Sequence, residues 1–146
     1  MQTSTLIIAA FLMGVIMSVY LPMNSSVARY LGSSIAAAVT FFIVALITSV
    51  LIFILSGEHS SIAKIGDVPP YLYLAGFISA FIIVGTTFLI PKIGARTFFI
   101  MLLSGQILMA IIVSHFGILE SPRDPVTLKK ILGATLVIAG AFLSTG

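Results

Sequence analysis

The chain has 146 residues, of which 60% are apolar and 8% charged, with seven Lys and Arg against four Asp and Glu and no cysteine. Soluble domains run near 45–50% apolar and about 25% charged, so too few charged side chains are present to cover a water-facing surface. The net charge of +3 comes from scattered cations, not a clustered basic face, which excludes nucleic acid as a partner; the missing cysteine excludes disulfides, thiolate metal sites and thiol catalysis.

Long neutral stretches between the charges predict five transmembrane helices, since about 20 mostly apolar residues cross the hydrocarbon. The first is expected over 5–21, ending in a turn that begins at Pro22 with Asn24, Ser25 and Ser26 and finishes at Gly32-Ser33-Ser34. No Lys or Arg precedes it and no clear small-residue cleavage site follows, so a retained helix is expected and not a signal peptide. The second span is expected over 34–55, followed by a linker from Ser56-Gly57 to Pro69-Pro70, and the third over 71–90, closed by a tight turn of Pro91-Lys92-Ile93-Gly94. The fourth is expected over 97–116, then a loop over 117–125, then a fifth span over 128–143. That last one is short, about 24 Å of helix, with Lys129 and Lys130 placed to snorkel to the interface. Residues 41–47 and 107–113 are apolar on every face, which excludes the alternating pattern of a membrane β-barrel. The expected fold is an all-α integral membrane protein, a single five-helix domain over 1–146 with loops too small for a separate module.

Five spans put Lys64, Arg123, Lys129 and Lys130 on one side and Arg29, Lys92 and Arg96 on the other. Four against three is almost no positive-inside bias, so dual orientation is one reading and a single orientation set by Lys64, Lys129 and Lys130 is the other. Two oppositely oriented copies would form the inverted repeat from which many transporters are built. Helices associate in lipid through small residues, and Gly133, Val137, Gly140 and Ser144 make such a stripe on the last span, either a dimer seam or packing within the bundle. Gly14 with Ser18 and Gly76 with Ala80 repeat the spacing.

No Asp, Glu, Lys or Arg lies in the middle of a span, so the usual marker of a proton relay or cation site is absent. Gln106, beside Ser104 and Gly105 near the centre of the fourth span, serves either as a ligand contact or as interhelical glue. Tyr20 and Asn24 share a face if the first helix continues past Pro22, and line a cavity mouth; the other reading is a belt aromatic followed by a helix-ending turn. Thr86 and Thr87 are expected to return hydrogen bonds to their own helix, and His115 to act as an interfacial hydrogen-bonder. With no metal-ligand spacing, no phosphate loop and no nucleophile arrangement, neither an enzyme nor a bound metal or cofactor is expected.

Several motifs occur in a familiar order: Pro22-Met23-Asn24-Ser25, Leu31-Gly32-Ser33 before Phe41-Phe42, Ile90-Pro91-Lys92-Ile93-Gly94-Ala95, Ser104-Gly105-Gln106, His115-Phe116-Gly117 and Lys130-Ile131-Leu132-Gly133. Over nearly the whole chain they resemble the YdcZ-type branch of the drug/metabolite transporter superfamily. The resemblance implies a bacterial inner-membrane protein equivalent to one half of a ten-helix EamA-type transporter, completed by a second copy. It also implies that Asn24 and Gln106 face a central cavity. Tyr20 stands where relatives often carry glutamine and Ser114 where many carry an acid, so no substrate transfers with the motif.

The expected function is therefore a small-molecule transporter protomer, working by alternating access as an antiparallel homodimer on a small polar metabolite or drug-like solute. Tyr20, Asn24, Ser104 and Gln106 are the expected cavity walls, Gly14 and Gly105 the points of close backbone approach, and Gly133, Val137, Gly140 and Ser144 the dimer seam. Its partners are a second copy, the lipid bilayer and the solute. The alternative is a non-transporting membrane scaffold or subunit of a larger complex.

Overall fold

The computed structural model describes residues 3–144, which form five α-helices: α1 Thr3–Leu31, α2 Ser34–Ser56, α3 Leu74–Ile93, α4 Ala95–Phe116 and α5 Leu128–Leu143. Short 3-10 segments, His59–Asp67, Pro70–Tyr73 and Ile118–Glu120, occupy the linkers. Four segments are long and apolar enough to cross a membrane: Ser4–Leu31, Ser34–Ser56, Pro70–Ile93 and Ala95–Phe116. α5 begins and ends where the sequence places it, but its 16 residues make it the shortest of the α-helices.

Pro22 does not end α1. The helix runs through it to Leu31, so the turn expected at Pro22 is displaced to Gly32-Ser33. Proline removes one N–H from the ladder, whereas unwinding the chain at membrane depth would expose several backbone groups where water cannot satisfy them. Gly32 takes a left-handed conformation with φ of 68°, and the Ser33 side chain then caps α2 by accepting from the Ala36 N–H. α3 likewise continues past Pro91 to Ile93, which reduces the third turn to Gly94 alone.

Gly94 sits at φ 79° and ψ 150°, a region that only glycine occupies without strain. Gly94→Ala is expected to destabilise the fold by about 1–3 kcal/mol although nothing stands within 4 Å of the added methyl. Thermal unfolding in detergent, with Gly76→Ala as the helix-interior comparison, reads that difference. Gly76 also has open space around its Cβ position but lies within α3, so its alanine variant should match or exceed the parent.

The chain divides into two compact units, Met1–Lys92 and Ile93–Gly146. In the first, α1 buries Leu21, Asn24, Ser25 and Ala28, and α3 buries Ile83, Thr86, Thr87 and Ile90. Both sets follow the i, i+3, i+4, i+7 spacing of one helical face, with polar residues at the two inner positions. Ala37 and Ala38 are the buried residues of α2, and their small side chains let it approach closely. In the second unit α5 packs on α4, and the loop between them is tied back to the end of α4. There Val126 N–H donates to His115 Nδ1 at 3.1 Å, Asp124 N–H donates to Ser114 O at 2.8 Å, and Lys130 pairs with Asp124. His115 is thus a hydrogen-bonding residue at the helix end, as its position in the sequence leads one to expect.

Candidate functional site

Because α1 continues through Pro22, Tyr20 and Asn24 stand one turn apart on the same face. The Tyr20 ring is partly buried and stacks on Phe41 of α2, centroids 5.9 Å apart. Asn24 is 7% exposed, and its Nδ2 donates to Thr87 Oγ1 of α3 at 2.9 Å. Thr87 in turn donates to Ile83 O at 2.7 Å, so one hydroxyl both satisfies its own helix and receives the amide of another. The Asn24 carbonyl oxygen and the hydroxyl of buried Thr86 make no hydrogen bond among the described residues. The result is a neutral polar seam between α1 and α3 with unspent hydrogen-bonding capacity.

α4 treats its two candidates differently. Ser104 is buried and donates to Ile100 O at 2.8 Å, while Gln106 is exposed and makes no hydrogen bond among the described residues. Two residues along a helix turn the side chain by about 200°, so Ser104 and Gln106 are not brought onto one face. Tyr20 and Asn24 are brought together; the α4 pair is not. Gly14 and Gly105 are exposed with nothing within 4 Å of an added Cβ, so neither makes a close backbone approach among the described residues. Gly133, Val137, Gly140 and Ser144 are all exposed, and the stripe that α5 partly buries is a separate one through Ala134, Ile138 and Ala141.

Thr87 is the residue that reading the sequence undervalues. Its backbone bond to Ile83 is the ordinary fate of a membrane threonine and matches the expectation, whereas Thr86 makes no such bond among the described residues. The added role of receiving Asn24 follows from the pairing of two stripes, Leu21-Asn24-Ser25-Ala28 and Ile83-Thr86-Thr87-Ile90, whose spacing is visible in the sequence but whose pairing is not.

The order of these elements, from the Pro22 helix to the Gly94 turn and the His115 loop, has a counterpart among protein families. A family model described as "Putative inner membrane exporter, YdcZ" matches residues 5–143. The chain belongs to the YdcZ family. Neither the curated proteins nor the solved structures include a match to it. Membership in a YdcZ family described as inner membrane exporters, joined to four apolar helices of spanning length, supports a membrane transporter.

Proposed function

We propose that the protein is one half of a small-molecule transporter of the bacterial inner membrane, with α5 as a fifth span, and that two oppositely oriented copies complete it. The observation that carries this reading is Asn24: a buried amide, anchored through its nitrogen to Thr87, with its carbonyl oxygen left without a donor among the described residues. Among the described residues no fully buried side-chain oxygen or nitrogen lacks a partner, so the Asn24 carbonyl oxygen is reached from the open side of the seam, where a solute hydroxyl or N–H would donate to it. Tyr20 flanks that amide on the same helical face. The substrate is an uncharged or zwitterionic polar solute, because no carboxylate lies within the spans to balance a cation.

The exposed small-residue stripe of α5, Gly133, Val137, Gly140 and Ser144, supports the dimer, as does the scarcity of burial elsewhere. In the most apolar 18-residue windows of α1, α2 and α4 only 6% of residues are buried, which leaves wide helix faces for lipid or a second copy. Alternating access would then be a rocking of the two copies about a shared site at mid-membrane.

Orientation and transport test this together. Ser61, exposed in the 3-10 segment His59–Asp67, is replaced by cysteine in a chain that has none, and an impermeant maleimide is applied to intact cells and again after lysis. Close to half of the chains are expected to react before lysis. The purified chain in proteoliposomes is expected to give saturable uptake of a solute from a panel of polar metabolites. All-or-none labelling overturns dual topology, and silence across the panel leaves the scaffold reading in its place.

A further inference from the structure

Arg29 at the end of α1 and Lys92 at the end of α3 line one cleft of about 300 Å³ together with Ser33, Ser34 and Phe88. Neither cation has an acidic partner: among the described residues the ion pair is Lys130 with Asp124, and the acids of this unit, Glu58 and Asp67, lie beyond the far end of the 23-residue α2. The Lys92 ammonium rests over the Phe88 ring at 4.0 Å, and Arg29 spends one N–H on Ser26 Oγ at 3.0 Å, leaving the rest of its fork open. The Ser34 hydroxyl makes no hydrogen bond among the described residues. Two unneutralised cations held at one cleft in a chain of so few charges call for an anion.

The cleft does not end there. Ser33, Ser34 and Phe88 also border a second hollow of about 490 Å³, which runs on between α2 and α3 past Phe81, Val84 and Gly85. Ile35 and Val84 pass it to a third, about 370 Å³, lined by Ala38, Phe42, Leu46 and Ala80. From Ser34 to Leu46 this furrow follows α2 for about 18 Å, comparable to half of a hydrocarbon core of about 30 Å. A free phosphate would use the cationic end and leave the apolar furrow empty, whereas an amphiphile uses both. Basic pockets between helices at the membrane boundary are suited to anionic head groups.

We propose that this unit binds an anionic glycerophospholipid, its phosphate between Arg29 and Lys92 with the Ser34 hydroxyl donating, and one acyl chain along the α2–α3 furrow. The cleft adjoins the Asn24 seam, since Ser25 and Thr87 also line it, but its head-group contacts are Arg29, Lys92 and Ser34, and retention of lipid is read without reference to what the protein carries.

The test uses the full chain purified in a mild detergent, with phosphatidylglycerol, phosphatidylcholine and inorganic phosphate as probes, and bound lipid counted by native mass spectrometry. Phosphatidylglycerol is expected to be retained over phosphatidylcholine by roughly 10–30-fold, the attraction of two surface cations for a net negative head group. The pair Arg29→Gln and Lys92→Gln should erase that preference, and Arg29→Lys should keep most of it. Gly85→Phe, which meets nothing within 4 Å at its Cβ, should fill the furrow and lower retention of both lipids about equally, with helix content by circular dichroism unchanged. Equal retention of the two lipids in the parent overturns the proposal. Inorganic phosphate displacing phosphatidylglycerol at matching concentration, with Gly85→Phe without effect, overturns it in favour of a free-anion site. A Gly85→Phe chain that loses its partner copy while lipid binding is unaltered shows that a second copy covers the furrow, and also overturns it.

Discussion

Gly140→Leu is expected to leave the protomer folded and to weaken the proposed homodimer. Nothing stands within 4 Å of the Cβ position at Gly140, and the residue is exposed on the side of α5 away from the partly buried stripe through Ala134, Ile138 and Ala141. A leucine there gains helix propensity, and its Cβ meets nothing within 4 Å. In a dimer seam the same leucine holds two backbones apart, because association in lipid rests on close packing of small residues. The dimerisation constant should fall at least about tenfold, ~1.4 kcal/mol. Single-molecule photobleaching in liposomes reads the fraction of paired chains. Thr135→Leu is the control: Thr135 is also exposed, but five residues before Gly140 it lies about 140° away round the helix. Equal loss of pairing in both variants, or in neither, would assign the stripe to lipid.

Asn24→Ala and Thr87→Val are expected to separate two roles that one hydrogen bond joins. Each removes the bond at 2.9 Å between α1 and α3, worth about 0.6 kcal/mol on average and up to about 1.7 in membrane proteins. As structural glue alone, the two substitutions lower stability alike, and the double variant is no worse than either, the signature of coupled residues. As a ligand contact, Asn24 has the further task of offering its carbonyl oxygen to the solute. Asn24→Ala should then reduce transport about 10–100-fold, the loss of one buried polar contact, while Thr87→Val reduces it only as far as the amide loses its anchor. Uptake into proteoliposomes alongside unfolding in detergent gives both axes. Equal effects on transport in the two single variants would return Asn24 to a packing role.

Apolar runs long enough to cross a membrane were legible in the sequence because length and composition are local properties. α5 begins and ends at the expected residues, and α2 departs by one residue at its end. The errors cluster at proline. Both Pro22 and Pro91 read as turns, since in water a proline inside a helix breaks it, yet α1 and α3 run through them to Leu31 and Ile93. The price of leaving the helix at membrane depth is paid in unsatisfied backbone groups, and the helix therefore stops where glycine permits a reversal, at Gly32 and Gly94. Tyr20 and Asn24 share a face only if α1 continues past Pro22, and it does.

By itself the sequence determined a helical membrane chain of the YdcZ family, with neutral spans and charges confined to their ends. Those features depend on which residues are present and in what order. Only the tertiary structure decided which polar residues meet. It paired Asn24 with Thr87 across 63 positions, turned Ser104 inward and Gln106 outward, and set Arg29 and Lys92 around one cleft. Many stripes of similar apolarity can pack against one another, and the choice among them rests on small residues and single hydrogen bonds that act only once the helices are side by side.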